Sequence, residues 1–98
     1  MKKLNFKTTE EFEEVFRGRN LEVTRAIVDA IEKAMVTRKR SAKIFEITFD
    51  GSDYLTEISL PKSQWPDALQ SCLDVFHEKS LSDECIDTWK LLEASKIL

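Results

Sequence analysis

The pattern of apolar and polar positions changes its period once along the chain, close to Ala42. Over residues 44–50, side chains assigned to the core alternate with side chains assigned to solvent, among them Ile44, which is typical of a strand with one buried face. Asp50-Gly51 then has the composition of a tight turn, and a second strand follows over residues 54–60. The pattern predicts an antiparallel β-hairpin over residues 42–60.

Two registers of this hairpin remain open. A two-residue turn would place Ile47 opposite Tyr54. A four-residue loop would place Ile47 opposite Thr56 and would also set Glu46 against Glu57, an unfavourable pair of like charges. Better pairing of aromatic residues in the second register could outweigh that cost. Both registers direct the same side chains to the core, so the sequence predicts the buried face and leaves the register undecided.

Before the hairpin, apolar positions at helical spacing predict two helices. Thr8-Thr9-Glu10-Glu11 is typical of a helix start, because threonine caps backbone N–H groups and glutamates favour the positive end of the helix dipole. Gly18 and Asn20 are expected to end this short helix. A longer helix then runs from about Leu21 to Thr37, with one continuous apolar stripe.

Two further helices are predicted after the hairpin. Pro61 stops the second strand, and the third helix begins near Ser63, with Pro66 tolerated in its first turn. Ser80 or Ser82 caps the fourth helix. The apolar stripes comprise Trp65, Leu69, Cys72, Leu73 and Phe76 on the third helix, and Cys85, Ile86, Trp89, Leu92 and Ile97 on the fourth.

The predicted order of elements is α-α-β-β-α-α, which makes the fold class α+β with a central antiparallel hairpin. Ninety-eight residues without a linker or repeat predict a single compact domain over residues 1–98. Because a two-stranded sheet is marginal in water, we expect its apolar face to lie on the helices. Its two open edges motivate the hypothesis that the protein forms a homodimer through the hairpin edge.

The composition indicates a well-solvated globular protein. Hydrophobic residues make up 42% and charged residues 34% of the chain, with only 2 Gly and 2 Pro, which disfavours disorder. No apolar run approaches the roughly 18 residues of a membrane helix, and no apolar stretch of a signal peptide follows the N-terminal lysines. We therefore expect no membrane association, a cytoplasmic location and reduced cysteines.

Charge is distributed unevenly around a net value of −3. Residues 1–50 carry 11 Lys or Arg and 9 Asp or Glu, whereas residues 51–98 carry 4 and 9. The densest basic run predicts nucleic-acid binding as a second functional hypothesis, because such runs neutralise phosphates. Against it, cations also complement a helix C-terminus, no aromatic residue interleaves the run, and the pI of about 5.2 is acidic. The candidate residues are Arg38, Lys39, Arg40 and Lys43.

No motif in the sequence predicts catalysis or a cofactor. Cys72, His77, Cys85 and Asp87 are close in sequence, but their spacing matches no zinc template. On a helix, Cys72 and His77 point about 140° apart and so do not form a thiolate–imidazole pair. The two glycines are too far apart for a phosphate-binding loop. We expect no enzyme activity, no metal site and no cofactor.

Trp65 and Trp89 are the candidate residues for binding a protein partner. Both lie on predicted apolar stripes, where a large ring most often belongs to the core. A ring at the edge of the packing would instead anchor a partner, because tryptophan is favoured at interfaces. The sequence leaves both interpretations open for each ring.

Three segments carry a resemblance to known proteins, namely Leu60-Pro61-Lys62-Ser63-Gln64-Trp65, Ser71-Cys72-Leu73-Asp74 and residues 82–92. They resemble small uncharacterised proteins of contractile-tailed viruses that infect marine cyanobacteria. The resemblance covers mainly residues 60–94 and carries over no functional residue. It implies a viral protein that works in the cytoplasm of a bacterial host. Together with the lack of catalytic motifs, it leads to the hypothesis of a small interaction protein that regulates by binding another protein.

Overall fold

The N-terminal segment forms a strand that the sequence pattern does not predict. In the computed structural model, which describes residues 2–17, 20–51 and 53–97, β1 (Lys2–Phe6) pairs in parallel with β2 (Ser41–Phe49). β2 also pairs antiparallel with β3 (Leu55–Pro61), so that β2 lies in the middle of the sheet. The α+β class and the hairpin are confirmed, and the sheet has a third strand.

Helices precede and follow the hairpin as expected. Two of them connect β1 to β2, and the other two follow a short 3-10 turn after β3. The boundaries within the described ranges are α1 (Thr9–Arg17), α2 (Leu21–Val36), the 3-10 turn (Lys62–Gln64), α3 (Trp65–Glu78) and α4 (Ser82–Ile97).

Capping side chains explain where the first two helices begin. Thr8 Oγ1 accepts a hydrogen bond from the backbone N–H of Glu11 at 3.2 Å, which confirms a cap before α1. Asn20, expected to end a helix, instead begins one: its Oδ1 accepts from the N–H groups of Glu22 and Val23 at 2.8 and 3.2 Å. Gly18 lies outside the described residues.

The core lies between the helices and one face of the sheet. One cluster packs α2 against α3 and α4 around Trp65, and a second packs α1 and α2 on the strands around Phe45. Leu60 contacts both clusters, so the apolar interior is continuous. No helix in the described ranges is long and apolar enough to cross a membrane.

The hairpin adopts the register of the four-residue loop. Glu46 lies opposite Glu57, as that register requires. Each glutamate also has a lysine nearby on the solvent face: Lys3 Nζ is 4.0 Å from Glu46, and Lys43 Nζ is 3.5 Å from Glu57. The two lysines offset the repulsion between the carboxylates.

A β-bulge interrupts the ladder between Lys43 and Phe45. The alternating pattern assigns Ile44 to the polar face, and that assignment is wrong, because Ile44 and Phe45 are both buried. A bulge adds one residue to a strand and shifts the alternation by one position. Ala42 on one side and Phe45 on the other therefore both point into the core.

Candidate binding surfaces

The basic segment begins where α2 ends. The backbone N–H of Arg38 donates to the carbonyl of Met35 at 3.2 Å, and that of Lys39 donates to the carbonyl of Ala34 at 2.9 Å. These two bonds form a Schellman motif, in which Arg38 has the left-handed φ of 57°. The side chains of Arg38, Lys39 and Arg40 are all exposed. The helix end therefore determines the backbone of this run and leaves its charges in solvent.

The four candidate nucleic-acid-binding residues do not all converge. Lys39 and Lys43 border one groove between α2 and β2, whereas Arg38 and Arg40 are not part of its lining. Lys43 also forms an ion pair with Glu57 on the solvent face of the sheet. The structure thus divides the basic run between a groove and the open surface.

The groove itself is not apparent in the sequence, because its two walls come from separate elements. It has a volume of about 570 Å³. On β2 it is bordered by the first residues of the strand, where β1 does not reach, because the described pairing of β1 ends at Phe45. Its α2 wall carries three alanines at successive turns, namely Ala26, Ala30 and Ala34. Small side chains on the helix therefore leave this space open.

Charge along the groove is graded. Lys33, Lys39 and Lys43 border it, together with two carboxylates, Glu22 and Asp29. Neither Lys33 nor Lys39 forms a side-chain ion pair within the described residues. The groove is therefore most basic beside the end of α2 and the start of β2.

Arg25 also borders the groove, but its charge is engaged elsewhere. Its Nε lies 3.1 and 3.0 Å from the two carboxylate oxygens of Glu84 on α4, and its Nη2 bonds to the same carboxylate. The hydrogen bond from Arg25 lowers the pKa of Glu84. The guanidinium therefore holds α2 to α4 and adds little positive charge to the groove.

Trp65 is a core residue in the structure. Its side chain is 1% exposed, and its Nε1 donates to the backbone carbonyl of Leu60 at 2.9 Å. That bond satisfies the polar atom of a buried indole and ties the start of α3 to the end of β3. A partner could not reach this ring without unfolding the core.

Trp89 lies at the edge of the outward face of α4, beside the residues that face the core. Its side chain is 53% exposed, as is that of Ile86, and Ile97 is 86% exposed. The sequence stripe groups Ile86 and Ile97 with the buried Leu92, and this assignment is wrong for both. For Trp89 the sequence leaves two interpretations open, and the structure has the exposed one. The inward face of α4 is instead built around Leu92 with two small hydroxyl residues, Thr88 and Ser95.

Small inward side chains explain why α4 turns this face to the core and leaves its larger apolar residues outside. Ser95 Oγ donates to the carbonyl of Leu92 at 2.7 Å, so its buried hydroxyl is satisfied within the helix. Within the described residues, no buried side-chain nitrogen or oxygen lacks a hydrogen bond. The close packing of α4 on α3 therefore uses residues that are weakly polar, and the larger apolar residues are left outside.

The cysteines and the histidine do not form a reactive centre. Cys72 is buried, its Sγ lies 3.8 Å from the carbonyl oxygen of Thr24, and burial raises the pKa of its thiol to about 12. Such a thiol is a poor nucleophile. His77 is exposed at the end of α3, and Cys85 is half-buried on α4. Among the described residues, no group of three His, Cys, Asp or Glu side chains could hold a metal ion.

Comparison of the chain with protein-family models, with curated proteins and with solved structures finds no match.

Proposed function

We propose that the protein is a small non-catalytic interaction protein that binds another protein through the outward face of α4. The exposure of Ile86, Trp89 and Ile97 on that face carries the proposal. An exposed apolar patch rimmed by polar residues is typical of a protein-binding surface. Tryptophan is among the residues that contribute most binding energy in such surfaces.

The charged residues near Ile86, Trp89 and Ile97 indicate which charges a partner surface would carry. Asp83 and Asp87 lie in the N-terminal half of α4, whereas its C-terminal half carries Lys90 and the ion pair of Lys96 with Glu93, at 3.5 Å. A suitable partner offers an apolar groove with basic groups beside the first half of the helix. This arrangement is the helix-in-groove mode of recognition, in which one face of a helix supplies the apolar anchors.

Site-specific photo-crosslinking tests this proposal in cells that make the protein. A benzophenone amino acid replaces Trp89 in one variant and Tyr54, which is 83% exposed on the sheet side, in the control. We expect a defined crosslinked product at position 89 that is lost when Ile86→Asp is added. No product at position 89, or the same products at both positions, would contradict the proposal.

The hairpin-edge homodimer is a further proposal about partners, and β3 is the edge concerned. β1 covers the other side of the hairpin, so β3 lies at the edge of the sheet. Antiparallel pairing of two copies about Ile58 would set Glu57 opposite Ser59 and avoid a pair of like charges. We expect sedimentation to give a mass that rises with concentration. A monomeric mass at every concentration would rule the dimer out.

Nucleic-acid binding through Arg38, Lys39, Arg40 and Lys43 is the second candidate function. The exposure of all four side chains supports it. It is less favoured, because two of the four lie outside the groove and, among the described residues, no aromatic side chain lines that groove for base stacking. We expect any such affinity to fall with salt and with Arg38→Ala combined with Arg40→Ala. Affinity without either response would contradict it.

We also propose that the protein acts in a cytoplasm, and in that of a bacterial host if it is viral. The composition and the resemblance of residues 60–94 to proteins of cyanobacterial viruses support this proposal. Fractionation of host cells after infection tests it. Recovery of the protein in the soluble fraction is expected, and recovery in virus particles alone would contradict it.

A further inference from the structure

The start of β2 exposes backbone that pairs with no other strand in the described part of the chain. The pairing with β1 begins at Phe45, so residues 41–44 have β3 on one side and the groove on the other. The N–H of Lys62 donates to the carbonyl of Arg40, which points residue 40 toward β3. The backbone N–H and C=O groups of successive residues point to opposite sides of a strand. Those of Ser41 and Lys43 therefore point away from β3, toward the groove.

The groove beside this edge is large enough for a peptide. Its volume of about 570 Å³ lies within the usual range of ligand sites. An extended strand needs about 4.8 Å of separation from its neighbour. Ala26, Ala30 and Ala34 on α2 leave that space, because they carry no side chain beyond Cβ.

The charges at the groove select the partner. Lys33 and Lys39 border it without ion pairs of their own in the described residues, and Lys43 is held by an ion pair in which both side chains are largely exposed. Exposed pairs of this kind are weak and exchange readily. Arg25 also borders the groove, but its guanidinium is bound to Glu84 and is not among the cations available to a ligand. Carboxylates on an incoming strand would therefore meet three available lysines.

We propose that this groove binds an extended acidic peptide segment, which adds a short strand alongside residues 41–44. Main-chain hydrogen bonds to Ser41 and Lys43 supply the pairing, and glutamate or aspartate side chains contact Lys33, Lys39 and Lys43. This is recognition by β-strand addition. The groove is separate from the outward face of α4, so a negative result for one of the two proposals leaves the other unaffected.

Fluorescence anisotropy with a labelled hexapeptide of glutamate, which presents carboxylates on both faces of an added strand, tests the proposal on the full chain. We expect Lys33→Glu combined with Lys43→Glu to weaken binding at least about tenfold, since each lost charge contact removes part of the affinity. Lys79→Glu combined with Lys90→Glu makes the same change of charge outside the groove and serves as the matched control. Circular dichroism confirms that each variant is folded.

Two probes separate strand addition from simple charge attraction. The same peptide with its alternate backbone nitrogens methylated keeps its charge but cannot complete a ladder, and we expect it not to bind. A single-stranded oligonucleotide of equal charge is expected to bind more weakly than the peptide. Equal binding of the methylated peptide, or tighter binding of the oligonucleotide, would overturn the proposal. Trp89→Ala should leave the peptide affinity unchanged, whatever its effect at the α4 face.

Discussion

Arg25 and Glu84 are 59 residues apart in sequence, and their forked ion pair joins α2 to α4. Because the hydrogen bond from Arg25 lowers the pKa of Glu84, the unfolded state binds more protons than the folded state in acid. The stabilisation is complete above the ordinary pKa of 4.5 and is lost as pH falls through the lowered value. We expect Glu84→Gln to lose less thermal stability than the wild type between about pH 6 and pH 3.

Asp87→Asn is the control for this experiment. It removes the same charge from the same helix, at a position without an ion pair in the described residues. Melting curves at low ionic strength give the clearest comparison, because salt screens exposed charges. We expect Asp87→Asn to follow the wild-type pH dependence. Equal pH dependence in wild type and Glu84→Gln would contradict the role of the pair.

Ser80 ends α3 in a left-handed conformation with a φ of 58°. Its N–H donates to the carbonyl of His77 at 3.1 Å, and the N–H of Leu81 donates to the carbonyl of Phe76 at 2.9 Å. Glycine adopts this conformation without the clash of a Cβ atom, so Ser80→Gly should raise the free energy of unfolding by about 1 kcal/mol. Urea denaturation measures the change.

Lys79 provides the matched control for the glycine substitution. Its φ of −93° suits any residue, so Lys79→Gly should not stabilise the protein and should cost a little through the greater entropy of the unfolded chain. Arg38 has a φ of 57° in the same motif at the end of α2, and Arg38→Gly should behave like Ser80→Gly. A gain at position 79 as large as that at position 80 would show that strain is not the cause.

Local patterns predict those parts of the fold that local physics determines. α2 runs from Leu21 to Val36, within one residue of the expected span, because its cap and its apolar stripe are both local. β1 has the same alternation as a strand, with Leu4 and Phe6 directed inward, but over five residues this pattern is too short to be distinctive. Its partner β2 lies about forty positions further along, and only the tertiary fold selects that pairing.

The outward face of α4 shows a second limit of sequence patterns. Counting large apolar residues predicts that Ile86 and Ile97 face the core, whereas the buried face combines leucines with small residues at the same helical period. A pattern that includes small hydroxyl and thiol side chains would have found this face, since its members are spaced four, three, four and three residues apart. They are Leu81, Cys85, Thr88, Leu92 and Ser95.

The two tryptophans should respond differently to substitution. Trp65→Phe removes the hydrogen bond to Leu60 and leaves a gap in the core, which should lower the free energy of unfolding by about 2–3 kcal/mol. Trp89→Phe changes an exposed ring and should stay within about 0.5 kcal/mol. Urea denaturation measures both. A larger loss for Trp89→Phe than for Trp65→Phe would contradict the packing described above.

Fluorescence independently tests the burial of Trp65 and the exposure of Trp89. Because the chain has 2 Trp, each single variant leaves one reporter ring. The ring of Trp65 in Trp89→Phe should emit at short wavelength and resist quenching by acrylamide. The ring of Trp89 in Trp65→Phe should emit at longer wavelength and be quenched readily, provided that the variant is folded by circular dichroism.

Cys72 should be unreactive toward thiol reagents in the folded protein. Burial raises the pKa of its thiol to about 12, so very little thiolate forms at pH 8, and the sulfur is also shielded from reagents. Cys85 is half-buried and more accessible, so N-ethylmaleimide should modify Cys85 first, as read by mass spectrometry of peptides. In Cys85→Ser, modification of Cys72 should proceed at the rate at which the protein opens and should accelerate in urea. Equal rates of modification at the two cysteines of the folded protein would show that the interface of α2 and α3 around Cys72 is open to solvent.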